Sequence, residues 1–498
     1  MTEEFALGID LGTTAVKVGL FDAGRGVPLA LSAQEYRLST PAPGWVELDP
    51  SIYWERTVAG VREVSGKLPS GGRIVSVGLS SQGQTFAMLD HGGEPVRPAI
   101  VWIDSRATAE LAEFAAAVGG ERFYRATGSP FPNTVDSAPK ILWVRRNEPD
   151  VFARVAHVLV LPAYIAYRLT GRMVADSGDA ASTSLYDAEA GGWWPEAVAA
   201  VGLEPAMLGR VAEGGTLIGG IDATAADELG LLAGLPVGAG ANDQTCAAIA
   251  MGNRAPGTLT GTVGTALAVL GTAPAAAPHP GGGVLVTRNP IGGHRLLLAY
   301  TKTAAIMLTW FRDKVVTGRS YEELLSEAAQ VPAGCEGLTA LPHLSGMATP
   351  SFDDAVRGGF VGLSIQHGRR HMTRAIVESV CFGARDCIGL IRDAGVEGDA
   401  FIVSGGATRS SVWMQALADV LGMRVRVPDC PEAACRGGAL LGLLAAGRQE
   451  ALDWPAGTGQ ASASYVPDPA VRPAYEAAYE RYGRAMDALY PGARMRPR

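Results

Sequence analysis

Cysteine is scarce in this chain, with six residues (246, 335, 381, 387, 430, 435) among 498 and no pair at metal-ligand spacing. That argues against a disulfide framework or a zinc module and suits a reducing compartment, the cytoplasm. The seven histidines never form His-Glu-x-x-His. His367 and His371 flank Arg369 and Arg370, which suits a surface or phosphate-facing role better than metal binding. Basic residues are outnumbered, 42 Lys and Arg against 50 Asp and Glu, for a formal net charge of −8. A nucleic-acid partner is therefore not expected, since phosphate contacts need a dense basic surface. Long apolar runs are missing too. The alanine-rich stretch 231–250 is broken by Pro236, by glycines and by Asp243, so no membrane helix is expected. The acidic start, Met1-Thr2-Glu3-Glu4, lacks the basic and then apolar order of a secretory signal. Two phosphate-binding motifs are absent as well. No Gly-x-x-x-x-Gly-Lys-Ser/Thr occurs, and Gly238 and Gly240 are followed by Asp243 rather than a third glycine.

Hydrophobic residues make up 47% and charged residues 18%, the balance of a folded chain. Its length predicts about two to four domains. Phe5 to Asp10 and Val16 to Asp22 read as a β-hairpin around Leu11-Gly12-Thr13-Thr14-Ala15, with a further turn at Ala23 to Gly26. Strand patterns follow at Ile74 to Leu79 and Ile100 to Trp102. Between them Asp49-Pro50-Ser51 opens a helical pattern carried by Ile52, Trp54, Val58 and Val61. This alternation predicts an α/β fold. A Gly-rich segment, Val237 to Asp243, leads into a small-residue helix from Gln244 to Met251. Gly257 to Val269 then repeats the strand, Gly/Thr turn and strand of residues 7–20. The repeat predicts two related domains with a cleft between them, residues 1–250 and 251–450, and a helical tail over 451–498. Stretches 272–282 and 455–464 read as surface loops. Tyr475, Ala478, Tyr479 and Tyr482 in the tail suit core packing or a dimer contact.

Several segments carry groups suited to chemistry. Gly12 lets backbone N–H groups approach an anion, Thr13 and Thr14 add hydroxyls, and Lys17 adds positive charge. Asp10, at the end of an apolar strand, is placed to hold a magnesium ion through water. Gly264 and Thr265 repeat the turn. Gly405, Gly406 and Ala407 follow the apolar strand Phe401 to Val403 and open a helix near Ser411, a turn that can meet a base or a phosphate. Asp243 reads either as a helix cap or as a base facing a cleft. Gln82, Gln84, Trp102 and Asp104 end two strands with amides, an aromatic face and a carboxylate, a set suited to hydroxyl-rich ligands.

Taken together these segments resemble the FGGY carbohydrate kinases. Asp10-Leu-Gly-Thr-Thr14 matches, as do Gly44-Trp-Val-Glu-Leu-Asp-Pro50 and Ser404-Gly-Gly-Ala407. The most specific match is Gly358-Gly-Phe-Val-Gly-Leu363, seven residues, then His371-Met-Thr-Arg-Ala-Ile-Val-Glu378. The likeness runs from residue 5 to about residue 445. It implies two actin-like, RNase H-like domains with ATP and sugar in the interdomain cleft. The N-terminal domain would bind sugar and the first phosphate segment, and the C-terminal domain the nucleotide. It further implies ATP phosphates at Gly12, Thr13, Thr14, Lys17, Gly264 and Thr265, and adenosine at Gly405, Gly406, Ala407 and Ser411. The sugar would meet Gln82, Gln84, Trp102, Asp104 and Asn242, with Asp243 as general base and Mg²⁺ at Asp10. The implied substrate is a ketopentose such as xylulose; another sugar, a polyol or a sugar acid such as gluconate is the alternative. A homodimer is the family's expectation. Glycerol kinases carry Arg-Glu where this chain has Gly83-Gln84, and xylulokinases usually carry Met-His there. A sugar sensor without transfer, or an actin-like ATPase, are rival readings. The pairing of Asp10 and Asp243 with both Gly/Thr turns argues against the first, and the lack of a peptide-binding or polymer-forming segment against the second.

Overall fold

A computed structural model describes residues 3–277, 283–458 and 463–494. The chain forms two compact units. One comprises Met1–Arg254, Val286–Gly293 and Cys430–Thr458; the other comprises Ala255–Leu285, His294–Asp429 and Gly459–Arg498.

The first unit is built on strands β1 (Glu4–Leu11), β2 (Ala15–Asp22), β3 (Pro28–Glu35), β4 (Arg73–Ser81), β5 (Leu217–Gly220) and β6 (Pro236–Asn242), in the order β5-β6-β4-β1-β2-β3. β1 pairs antiparallel with β2 and parallel with β4, and β4 pairs parallel with β6. β1 is buried along nearly its whole length, as its apolar run of a central strand requires. The helix Pro50–Ser65 begins where Asp49 accepts from the Ser51 N–H at 2.9 Å, with Pro50 at its first position. The Ile100 to Trp102 pattern yields only the short strand Ala99–Ile100, in a separate four-stranded sheet.

Gly8, Gly78 and Gly238 stand side by side across β1, β4 and β6. A Cβ on Gly8 would sit 1.9 Å from the Cys435 carbonyl oxygen, and one on Gly78 1.9 Å from that of Gly438. This bare row lets the helix Ala433–Ala445 lie directly on the sheet. Residues 430–458, assigned by the sequence repeat to the second domain and the tail, therefore fold with the first unit. The helix is small and apolar apart from the buried Arg436, which donates to the Gly26, Ala250 and Pro455 carbonyls, and the glycines on distant strands make room for it.

In the second unit β7 (Leu259–Val263), β8 (Leu267–Ala273), β9 (Arg295–Thr301), β10 (Ala400–Ser404), β11 (Arg424–Val427) and β12 (Ala463–Tyr465) run in the order β9-β8-β7-β10-β11-β12. From β3 or β9 inward the pairings are antiparallel, antiparallel, parallel and parallel in both sheets. The repeat seen in sequence is thus a repeat of topology. The expected loops overlap strands at 272–273 and 463–464, while residues 278–282 and 459–462 lie outside the described residues.

The 25-residue helix Arg369–Asp393 forms the core of this unit. Arg374 donates to Glu378 at 2.8 Å and to the Tyr475 hydroxyl at 2.5 Å, and Glu378 also accepts from the Gly334 N–H. His371 is buried, accepts from the Gly368 N–H at 3.0 Å and lies 3.2 Å from Glu336, so it does not face a phosphate. Tyr475 and Tyr482 of the helix Arg472–Leu489 are buried, and Tyr479 donates to Asp386. Tyr475 and Tyr482 are core, and Tyr479 is half-buried at its edge.

Candidate active site

Asp10 is the penultimate residue of β1 and pairs across the ladder with Lys17 on β2 and Ser80 on β4. Its carboxylate is buried and accepts from the Ser80 hydroxyl at 2.8 Å. Burial pushes its proton affinity up, while Ser80 and the Lys17 charge pull it down. Lys17 makes a 2.7 Å ion pair with Glu432, which precedes the helix on the glycine row and holds a left-handed backbone (φ 47°). The Gly12-Thr13-Thr14 turn is closed by the Gly12 N–H to the Ala15 carbonyl and by the Tyr36 hydroxyl, which donates to the Gly12 carbonyl. Thr14 is exposed, and Gly12 and Thr13 are half-buried.

Asp243 opens the helix Asp243–Ala250 at the end of β6. Asn242 caps that helix, accepting from the Gln244 N–H at 3.1 Å, and Asp243 accepts from the same N–H at 2.7 Å. Both readings of Asp243 meet here, with Asn242 taking the cap and Asp243 the first turn. Asp243 keeps a solvent-reachable face. Its carboxyl is pushed up to about 7, first by loss of water and then by the Asp10 charge, against the Gln244 N–H and Lys17. A carboxylate poised there can take a proton near neutral pH. Behind it lie two buried carboxyls the sequence reading missed. Asp176 accepts from the Asp179 N–H at 2.8 Å, and both acids are raised by burial; Asp179 is further raised by Asp176. The Asp176-Ser-Gly-Asp179 spacing carried a helix-cap pattern, but not this neighbourhood.

A polar wall adjoins the turn. The Trp102 indole N–H donates to the Thr13 hydroxyl at 3.0 Å. Gln82 is buried, and its amide donates to the Tyr53 hydroxyl at 3.2 Å. Gln84 holds a left-handed backbone (φ 61°), its N–H bonded to Ser182 Oγ and its carbonyl to Ser137 Oγ. Asp104 is wholly enclosed: Arg106 grips it at 2.7 Å and the Val46 N–H at 2.5 Å, while the guanidinium stacks on Trp45. Its carboxylate braces the wall from within. Asn242 ends β6 opposite Ser81, whose carbonyl its amide approaches at 3.5 Å.

The second unit holds a cavity of about 750 Å³, lined in part by Gly264, Thr265, Gly406, Ala407 and Ser411. That volume suits a nucleotide-sized ligand. The Gly264 and Thr265 carbonyls receive the Ala305 and Ala304 N–H groups at 2.9 and 2.8 Å, joining the turn to the helix Ala305–Trp310. Gly405 stands just outside the lining with φ 103°; a Cβ there would sit 2.5 Å from the Val263 carbonyl oxygen. Ser410 caps the helix Ser411–Leu421 through the Trp413 N–H. Tyr321 and Leu325 also line it and were missed because their helix carries no motif, as were Arg409 and Trp413, which flank the glycine motif without belonging to it.

No three His, Cys, Asp or Glu side chains among the described residues converge as a metal cage. Asp10 and Asp243 instead form a like-charged neighbourhood that a divalent cation would relieve. Such a donor set fits Mg²⁺ bound largely by phosphate and water.

The family models for the N-terminal and C-terminal domains of the FGGY family of carbohydrate kinases match residues 5–250 and 259–446. The crystal structure of a xyloylose kinase from Brucella ovis is similar at a TM-score of 0.91 with 32% identity, covering 98% of this chain and 99% of that one. A xylulose kinase of Lactococcus lactis is 29% identical over 96% of this chain and 95% of its own length. Glycerol kinase 2 of Streptomyces avermitilis is 29% identical over 91% of this chain and 90% of its own length. With both halves of the chain matched in order, it belongs to the FGGY family of carbohydrate kinases.

Proposed function

We propose that this kinase transfers the γ-phosphoryl group of ATP to a primary hydroxyl of a ketopentose such as xylulose, with Asp243 as the general base. The observation that carries this reading is the Asp243 carboxyl, half-buried beside Asp10 and raised to about 7. Asp243 accepts the hydroxyl proton as the oxygen attacks phosphorus; Asn242 and the Gln244 N–H fix its orientation. Gln82, Gln84, Trp102 and Asn242 shape the acceptor wall, with Asp104 bracing it. Gly12, Thr13, Thr14 and Lys17 are the phosphate-binding candidates of the first unit, and Gly264 and Thr265 those of the second. Gly406, Ala407 and Ser411 take adenosine in the 750 Å³ cavity, with Gly405 shaping its turn. Phosphoryl transfer asks mostly for positioning and charge neutralisation. Mg²⁺ would supply part of that neutralisation, and Asp10 would hold it through water.

The xylulose kinases among the relatives put a ketopentose first. Another sugar, a polyol or a sugar acid is the second reading: Gly83-Gln84 departs from the Met-His of xylulokinases as it does from the Arg-Glu of glycerol kinases, and a Streptomyces glycerol kinase 2 is among the relatives. No helix among the described residues is long and apolar enough to cross a membrane. A cytoplasmic enzyme and a homodimer complete the proposal. A coupled ADP-release assay with Mg-ATP against ketoses, aldoses, polyols and sugar acids tests it. Turnover led by xylulose supports the reading, and turnover led by an acid or polyol replaces the substrate.

A further inference from the structure

Lys140, in the helix Ser137–Asn147, is completely buried. A lysine so enclosed ordinarily has a carboxylate partner. This ammonium instead donates to three main-chain carbonyls: Trp102 at 2.7 Å, Val135 at 2.9 Å and Val101 at 3.3 Å. Two of these carbonyls belong to the segments that build the acceptor wall. Trp102 carries the indole bonded to Thr13, and its N–H is held by the Thr85 hydroxyl at 3.1 Å. The segment at Val135 runs into Ser137, whose hydroxyl donates to the Gln84 carbonyl at 2.7 Å. One cation thus fastens both sides of the wall.

We propose that Lys140 is a positioning residue for the acceptor, its ammonium fixing the Trp102 and Val135 carbonyls and through them the indole and the Gln84 backbone. This deepens the proposed kinase reading and rests on it. The charged groups around the ammonium are Asp104 and Asp136, which favour its protonated form, and Arg106, which opposes it. Burial outweighs the acids and pulls the ammonium down to about 7. As pH rises through that value, the ammonium loses one of its three donors and the wall loosens, while the nucleotide cavity of the second unit is untouched.

The test is steady-state kinetics of the whole chain with Mg-ATP, varying in turn ATP and xylulose, or whichever panel sugar turns over fastest. Lys140→Gln should raise the acceptor KM about 10-fold or more and leave the ATP KM within about twofold, with Lys140→Arg restoring part of the loss. An unchanged acceptor KM, or both KM values moving together, overturns the proposal. If the variants do not fold, the wild-type chain supplies the measurement. Its acceptor KM should climb from about pH 7 to about pH 9 with a flat ATP KM; an acceptor KM flat over that range overturns the role. A wild-type chain that turns over no acceptor overturns the kinase reading itself, whereas turnover with an unmoved KM overturns this inference alone.

Discussion

Asp243 must be ionised to act as a base, yet its surroundings favour the proton. Its carboxyl is held at about 7, above the ordinary value of 3.8, chiefly by burial. The folded chain therefore binds this proton more tightly than the unfolded chain does. The unfolded chain gives up this proton first, so stability falls as pH rises from 3.8 to about 7, and the penalty is complete above that. Asp243→Asn should lower kcat by about 10²–10⁴-fold while its Tm at about pH 8 equals or exceeds that of the wild type. Thermal unfolding beside turnover checks this; a large fall in Tm would make Asp243 a structural residue. For the same reason wild-type kcat/KM should fall as pH drops below about 7, and Asp243→Glu should shift that limb. A single residue in the nucleotide turn makes a second case. Gly405 sits at φ 103°, with no room for a Cβ against Val263. Gly405→Ala should weaken ATP binding about 10-fold or more, read by titration calorimetry, because the turn beside the cavity must shift.

Packing of elements sets where these groups stand. Gly78 meets Gly438 so closely that a methyl cannot enter without displacing the helix Ala433–Ala445. Gly78→Ala should destabilise the first unit by about 1–3 kcal/mol or more, seen as an earlier urea transition. In the second unit Arg374 and Glu378 form a buried pair completed by Tyr475 and the Gly334 N–H. Arg374→Met strands a buried carboxylate and should cost about 3–5 kcal/mol, read on that unit's unfolding transition. Some elements were legible from residues alone. The β1–β2 and β7–β8 hairpins follow from apolar runs joined by Gly/Thr turns, and the helix at Pro50 follows from its cap. The seat of the helix Ala433–Ala445 was not, because its partners are absent side chains on strands hundreds of residues away. Nor was the Asp176–Asp179 pair, whose environment arises only on folding.

For the molecule as a whole, duplication is the organising fact. Both units carry the same pairing pattern, and each places a Gly/Thr turn between its first two strands. The turns then diverge in use. In the first unit the turn meets Trp102 and neighbours Asp10; in the second it opens onto a cavity of about 750 Å³. Of the motif residues predicted for nucleotide, Gly264, Thr265, Gly406, Ala407 and Ser411 line that cavity, while Gly405 stands just outside it and Gly12, Thr13, Thr14 and Lys17 belong to the first unit. The rest of its wall comes from ordinary helical side chains, which do not announce themselves in sequence as glycine-rich turns do. In the proposed reading substrate choice belongs to this whole-molecule scale, since it would depend on how Gln82, Gln84, Trp102 and Asn242 are set by surrounding packing. The most direct measurement is sugar-dependent ADP release by wild type and Asp243→Asn, side by side, with Mg-ATP and xylulose. Strictly xylulose-dependent ADP is expected from the wild type, with a loss of about 10²-fold or more in the variant while ATP still binds. Near-normal turnover by the variant, or ADP released without any sugar, would contradict it.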